Sequence, residues 1–168
     1  MNAKISASII PVLLGLIGVV LANLPVTLMG GWMPPPLFAL MPLYFWCLVR
    51  PDLVSPAWAF VLGMLQDLLS GGPPGIWAAA FVAMFAVIDR QRDIFAGLSG
   101  WGAVLGFATA VLIASFSAYT IFALYHVMLP PLTPFVTQFA LTVLLYVPAA
   151  YFLGYIHHHM VGPLRSDF

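Results

Sequence analysis

Charge is what this sequence has least of. Five basic and five acidic side chains in 168 residues make 6% charged, where a soluble domain carries about a quarter. A net charge of zero excludes the basic surface that recruits nucleic acid. A single cysteine, Cys47, excludes an internal disulfide and any multi-cysteine metal site. A single lysine, Lys4, with no glycine-rich phosphate loop beside it, excludes a P-loop nucleotide site. Period-two alternation is missing from the apolar runs, which argues against an outer-membrane barrel.

What is present is apolar: 63% hydrophobic residues and a mean hydropathy of +1.08. The composition is that of an all-α integral membrane protein, one polytopic domain over residues 1–168 with the lipid bilayer as its solvent. Lys4 followed by an apolar run resembles a signal peptide, yet no A-x-A-like site follows it. The run therefore reads as the first transmembrane helix.

The few charges mark the topology. They fall at Lys4, at Arg50 with Asp52, at residues 89–93, and at Arg165 with Asp167, while Asp67 stands apart from all of them. Between successive clusters lies one strong turn signal: residues 30–36, 70–75 and 128–134, each rich in Gly or Pro. Cytoplasmic clusters then require six transmembrane helices, folded as three hairpins with both termini cytoplasmic, as the positive-inside rule demands. The spacing predicts spans at residues 5–28, 37–49, 53–69, 74–88, 97–125 and 132–157. Trp46, Trp58 and Trp101 are expected near the inner ends, Trp32 and Trp77 near the outer ends. Pro11, Pro42 and Pro148 are expected to bend their helices.

The middle hairpin has about 15 residues per helix, or about 22 Å, short of a hydrocarbon core near 30 Å. Its turn is expected to stop below the outer surface, covered by protein or lining a watery cavity, with the middle hairpin enclosed by the other two.

Small residues at four-residue spacing let membrane helices approach closely. The third segment has Ser55, Ala59, Gly63, Asp67 and Gly71 on one face, and the fourth offers Gly75, Ala79 and Ala83. The fifth carries Gly102, Gly106, Ala110, Ala114 and Ala118. That last seam suits internal packing and docking of a partner's helix equally.

Asp67 lies in the last turn before residues 70–75. Two roles suit it. It can cap the turn and the following helix start, where free N–H groups and positive potential collect, with Trp77 N–H as another donor. It can instead serve as an intramembrane acid for a ligand, a proton or a partner's polar group. The dipole geometry favours the cap. His157, His158 and His159 are adjacent, so on a helix their side chains diverge by about 100° per residue and cannot converge on one metal. Gln66, Gln138, Thr137 and Thr142 carry no specific signal.

Catalysis is not expected. An aspartyl peptidase in the membrane needs two acids, and a serine one needs a Ser–His pair within the bundle. No catalytic residue, metal or cofactor is assigned.

The stretch Gly63, Asp67, Gly71, Gly72, Pro73 and Gly75, reading G-x-x-x-D-x-x-x-G-x-P-x-G, resembles the signature of the rod-shape-determining MreD family. The proline-rich first turn, the short chain and the six expected crossings are similar too. The resemblance implies a non-enzymatic scaffold of the bacterial inner membrane, part of the cell-elongation machinery that builds peptidoglycan. It implies MreC as the direct partner and, through it, MreB filaments, RodA and its penicillin-binding transpeptidase. The family's membrane fold is also similar to the substrate-binding subunits of energy-coupling-factor vitamin transporters. A small-molecule pocket at the outer helix ends, lined by Asp67, is the alternative.

Overall fold

The computed structural model describes the backbone of residues 2–24, 34–98 and 100–161, with side chains from residue 9 onward. It is helical, with no strand among the described residues. The helices are α1 (Asn2–Ala22), α2 (Leu40–Val49), α3 (Pro56–Ser70), α4 (Ile76–Arg90), α5 (Arg92–Ala96), α6 (Trp101–His126) and α7 (Leu132–Ile156). Six of them correspond to the expected segments. The short α5 has no counterpart in the sequence reading. Trp101–His126 and Leu132–Val161 are long and apolar enough to cross a membrane, and Ile9–Ala22 and Leu40–Val49 are shorter apolar helices.

Local chemistry sets the ends. Pro56 opens α3 at a position where no N–H is needed. Before it, Ser55 caps the helix by accepting the Trp58 N–H at 3.3 Å. Gly71 closes α3 with φ 69°, and Gly75 opens α4 with φ 102°. α3 and α4 have 15 residues each, the short hairpin expected from the spacing.

α2 begins at Leu40 rather than at residue 37, and has only 10 residues. Residues 34–37 are irregular, because a residue that precedes a proline is pushed out of the helical region, as Pro34 and Pro35 both are. Leu37 and Ala39 are nevertheless buried. The segment's backbone is tied to α7: Thr142 Oγ1 accepts the Leu37 N–H at 3.1 Å, and Gln138 Nε2 donates to the Pro35 carbonyl at 2.8 Å. Thr142, fully buried, also donates to the Gln138 carbonyl at 2.6 Å. Pro42 falls in the first turn of α2, where its missing N–H costs nothing. Pro11 and Pro148 lie inside α1 and α7.

α2 and α4 form the centre. Ala78, Ala80, Phe81, Met84 and Ile88 of α4 and Leu40, Tyr44, Trp46 and Cys47 of α2 are all buried. α4 packs between α3 and α6, and α2 touches α1, α4, α6 and α7. The rings of Phe107 and Tyr146 stack at 3.8 Å and join α6 to α7 beside Tyr44.

Two expectations are corrected here. The middle hairpin is not enclosed by the others. α3 has α4 and α1 along one side and turns Phe60, Val61, Leu68 and Leu69 outward, so only α4 is central. Trp46 does not take the lipid-facing place expected of it, while Trp101 and Trp77 lie at the starts of α6 and α4. Trp46 is 1% exposed and sits in the core against Phe45 and His157, whereas Trp101 is 83% exposed. A ten-residue α2 in the bundle centre has no long interfacial end on which to carry an aromatic. Trp32 lies outside the described residues.

Candidate functional site at the Asp67 turn

Asp67 belongs to the last turn of α3, on the face that carries Ala59 and Gly63. Ala59, Gly63 and Asp67 are all buried. The carboxylate leans across the turn onto the start of α4. Its Oδ2 accepts the N–H of Gly75 at 2.9 Å and of Ala78 at 3.1 Å, and its Oδ1 accepts the N–H of Trp77 at 2.9 Å. These donors are amides that a helix start leaves unpaired, and the positive end of the α4 dipole faces the anion. Ser70 closes the turn by donating its hydroxyl to the Asp67 carbonyl at 3.1 Å.

Two glycine effects make this approach available. A Cβ on Gly63 would lie 2.4 Å from both the Ala78 Cα and the Trp77 carbonyl, so α3 and α4 touch backbone to backbone. Gly71 and Gly75 occupy left-handed conformations that L side chains adopt at a cost. Gly72 and Pro73 continue the turn, and Gly72 has only Ser70 Oγ near its missing Cβ, at 3.6 Å. The residue of α4 that meets Gly63 is Ala78 rather than Ala79. Ala79 is exposed, since a one-residue offset rotates a side chain by about 100°.

Above the turn lies a cavity of about 240 Å³. Asp67, Ser70 and Gln138 supply its polar lining; Trp77, Phe122 and Phe135 supply aromatic walls. Gln138 is 8% exposed, and its Nε2 is committed to Pro35. At the opposite end of the bundle Arg50 pairs with Asp52 at 2.8 Å, and that hydrogen bond holds the Asp52 carboxyl below its ordinary range.

The comparisons with known proteins turn on this chain as a whole. The family model described as rod shape-determining protein MreD matches residues 2–156. This chain belongs to the MreD family. The match takes in every helix from α1 to α7, and the Asp67 turn with them. Among curated proteins, the rod shape-determining protein MreD of Haemophilus influenzae is 32% identical over 72 residues, 43% of this chain and 44% of that relative. The aligned stretch thus spans under half the length of the relative. No solved structure matches the chain. An MreD chain is a shape-determining membrane protein, and its apolar helices accord with that.

The structure treats the other sequence-derived candidates in this MreD chain differently. Gly106, Ala110, Ala114 and Ala118 of α6 are buried inside the chain. Ala118 packs with Ile76 and Ala80 of α4, and a Cβ on Gly106 would lie 2.6 Å from the Tyr44 hydroxyl oxygen. Gly102, at the α6 start, is half-buried against Leu98. The seam is an internal one, so partner docking on it is corrected: its small residues are already spent on α4 and α2. His157 faces Trp46, while His158 and His159 are exposed along a π turn. Gln138 and Thr142, which hold the proline-rich segment, carried no signal in the sequence reading. The only trace of them is an i, i+4 polar pair on an otherwise apolar helix. Gln66 accepts a bond from Asn23 of the α1 end at 3.2 Å, and Thr137 bonds only within its own helix.

Proposed function

We propose that this chain is a non-enzymatic scaffold of the bacterial cell-elongation machinery, working in rod-shape determination by binding MreC in the inner membrane. The observation that carries the reading is the MreD family match over residues 2–156. The site chemistry agrees with it: the buried acid is engaged with three backbone donors, an arrangement that fixes a turn.

In this reading the chain is multi-pass. The ends of α2 and α4 that carry Arg50 and Arg90 face the cytoplasm, and the Asp67 turn faces outward. The exposed apolar side chains of α6 and α7, among them Leu105, Leu112, Phe116, Leu144 and Phe152, face lipid. MreB, RodA and the penicillin-binding transpeptidase are reached through MreC. Depletion of the protein in its rod-shaped host is the direct test, with co-purification of MreC. Rounded cells and recovered MreC are expected; rods that persist, or an MreC-free preparation from intact membranes, overturn the proposal.

The cavity beside Asp67 favours one alternative, a small-molecule-binding subunit of an energy-coupling-factor transporter. A gene for a paired ATPase next to this one would favour that alternative, and genes for MreC and a penicillin-binding protein the scaffold.

A further inference from the structure

The cavity beside Asp67 presents acceptors without a cation. Asp67 makes no ion pair among the described residues, whose salt bridges are Arg50–Asp52 and Arg92–Asp89. Of its two carboxylate oxygens, Oδ2 accepts two N–H groups but Oδ1 only one, so Oδ1 has a lone pair to spare. Gln138 lines the same cavity, more than nine-tenths buried. Its amide is oriented by the Nε2 bond to Pro35, and its Oε1 accepts from no donor among the described residues. Trp77, Phe122 and Phe135 present aromatic surface around these two acceptors, the setting in which a desolvated cation is further stabilised.

Among the described residues the chain does not supply the cation. Arg90 ends α4, 15 residues or about 22 Å from the turn at which that helix begins. Arg50 and Arg92 flank the same end of the bundle as Arg90. Lys4 belongs to the first turns of α1, whose other end meets α3 through Asn23 and Gln66. Residues 25–33, which precede Pro34 at the cavity, include no basic side chain. Other titratable groups near the mouth are His126, exposed and stacked on Phe122 at 4.0 Å with Nδ1 engaged by the Phe122 carbonyl, and Tyr119, packed on Phe135 with its hydroxyl donating to the Pro130 carbonyl at 3.1 Å.

We propose that the cavity beside Asp67 receives a primary ammonium group on an aliphatic stem, supplied from outside this chain. The ammonium donates to Asp67 Oδ1 and Gln138 Oε1, and the stem lies along the aromatic and proline walls, as a lysine's methylenes do against apolar surface. A volume of about 240 Å³ suits a side chain or a small amine rather than a bulky cofactor. The source is a lysine of a bound protein or a free alkylamine, and this ligand chemistry holds whether or not that protein is MreC.

The test uses the full chain in phosphatidylcholine nanodiscs, which carry no primary amine, titrated with n-butylammonium chloride and, separately, with n-butanol as the neutral isostere. A saturable rise in melting temperature with the ammonium alone is expected. Asp67→Asn should weaken that binding by more than about tenfold, the worth of one hydrogen bond to a charged group. Gly72→Leu, which narrows the cavity without touching the carboxylate, gives the same readout should Asp67→Asn unfold. Equal shifts with butanol, no saturable shift, or a shift unchanged in Gly72→Leu overturn the proposal. A competition arm separates the sources. Release of a co-purified protein by butylammonium assigns the cavity to that protein's lysine, and retention assigns it to a free amine.

Discussion

Three backbone N–H groups converge on the single carboxylate of Asp67, and each would otherwise be an orphan at a helix start. Hydrogen bonds to a charged acceptor contribute about 1.5–3 kcal/mol each. Asp67→Asn keeps an acceptor but turns an NH2 toward one of the donors, and should cost about 2–3 kcal/mol. Asp67→Ala strands all three and should cost more. Thermal melts of the detergent-solubilised chain check both, and Asn melting like wild type would refute the cap. The glycines give a rank order. Gly63→Ala drives a methyl into the α4 backbone and should cost about 3 kcal/mol. Gly71→Ala and Gly75→Ala should cost about 1–2 kcal/mol each for their left-handed backbone. Gly72→Ala should stay within about 0.5 kcal/mol. A melt series in which Gly72 proves as intolerant as Gly63 would contradict the close approach of α3 and α4.

At the scale of elements, the α6 seam is the informative case. Ala110 and Ala114 are fully buried, so Ala110→Leu overpacks the interior and should lower stability by about 1–3 kcal/mol. A selective loss of partner binding with an unchanged melt would instead put the seam on the surface. The end of α6 stores strain: Val127 is the sole non-glycine residue with positive φ among the described residues, at 52°. A β-branched side chain is poorly suited to that conformation, so Val127→Gly should raise stability by about 1 kcal/mol. An unchanged or lower melting point would show that the turn has relaxed otherwise.

The element boundaries were legible in the sequence where a local signal existed. Gly71 and Gly75 bracket the turn, each acting within one helical turn of itself, whereas α3 starts at Pro56 behind its Ser55 cap rather than at the expected residue 53. The start of α2 was not legible. Its delay to Leu40 depends on Thr142 and Gln138 of α7, more than a hundred residues away, taking over the backbone of the proline run. The facing partner of Gly63 escaped for a similar reason, since four-residue spacing in α4 names a stripe but not its rotation.

For the whole molecule, the exposed apolar faces of α1, α3, α6 and α7 surround a core built on α2 and α4. A six-span arrangement puts Ser70, which ends α3 at the turn before α4, and Gln91, which follows the far end of α4, on opposite sides of the membrane. In a Cys47→Ala background, Ser70→Cys should react with an impermeant maleimide in intact spheroplasts, and Gln91→Cys only after lysis. Reversed labelling would invert the orientation, and labelling of both from outside would remove the crossings of the middle hairpin.

Composition, charge placement and turn chemistry determined by themselves that this chain is an apolar helical protein, roughly where six of its helices lie, and that Asp67 is singular; the end of α1 at Ala22, short of the expected residue 28, was not among them. Those properties are local: they follow from what each residue does to its own backbone and to the water or lipid around it. Only the tertiary structure decided which helices are central, that the α6 seam faces α4 and α2, and that Gln138 and Thr142 brace the proline run. Those outcomes depend on helix rotation and on contacts between distant segments, which an almost uniformly apolar sequence leaves unmarked because no polar face distinguishes inside from outside.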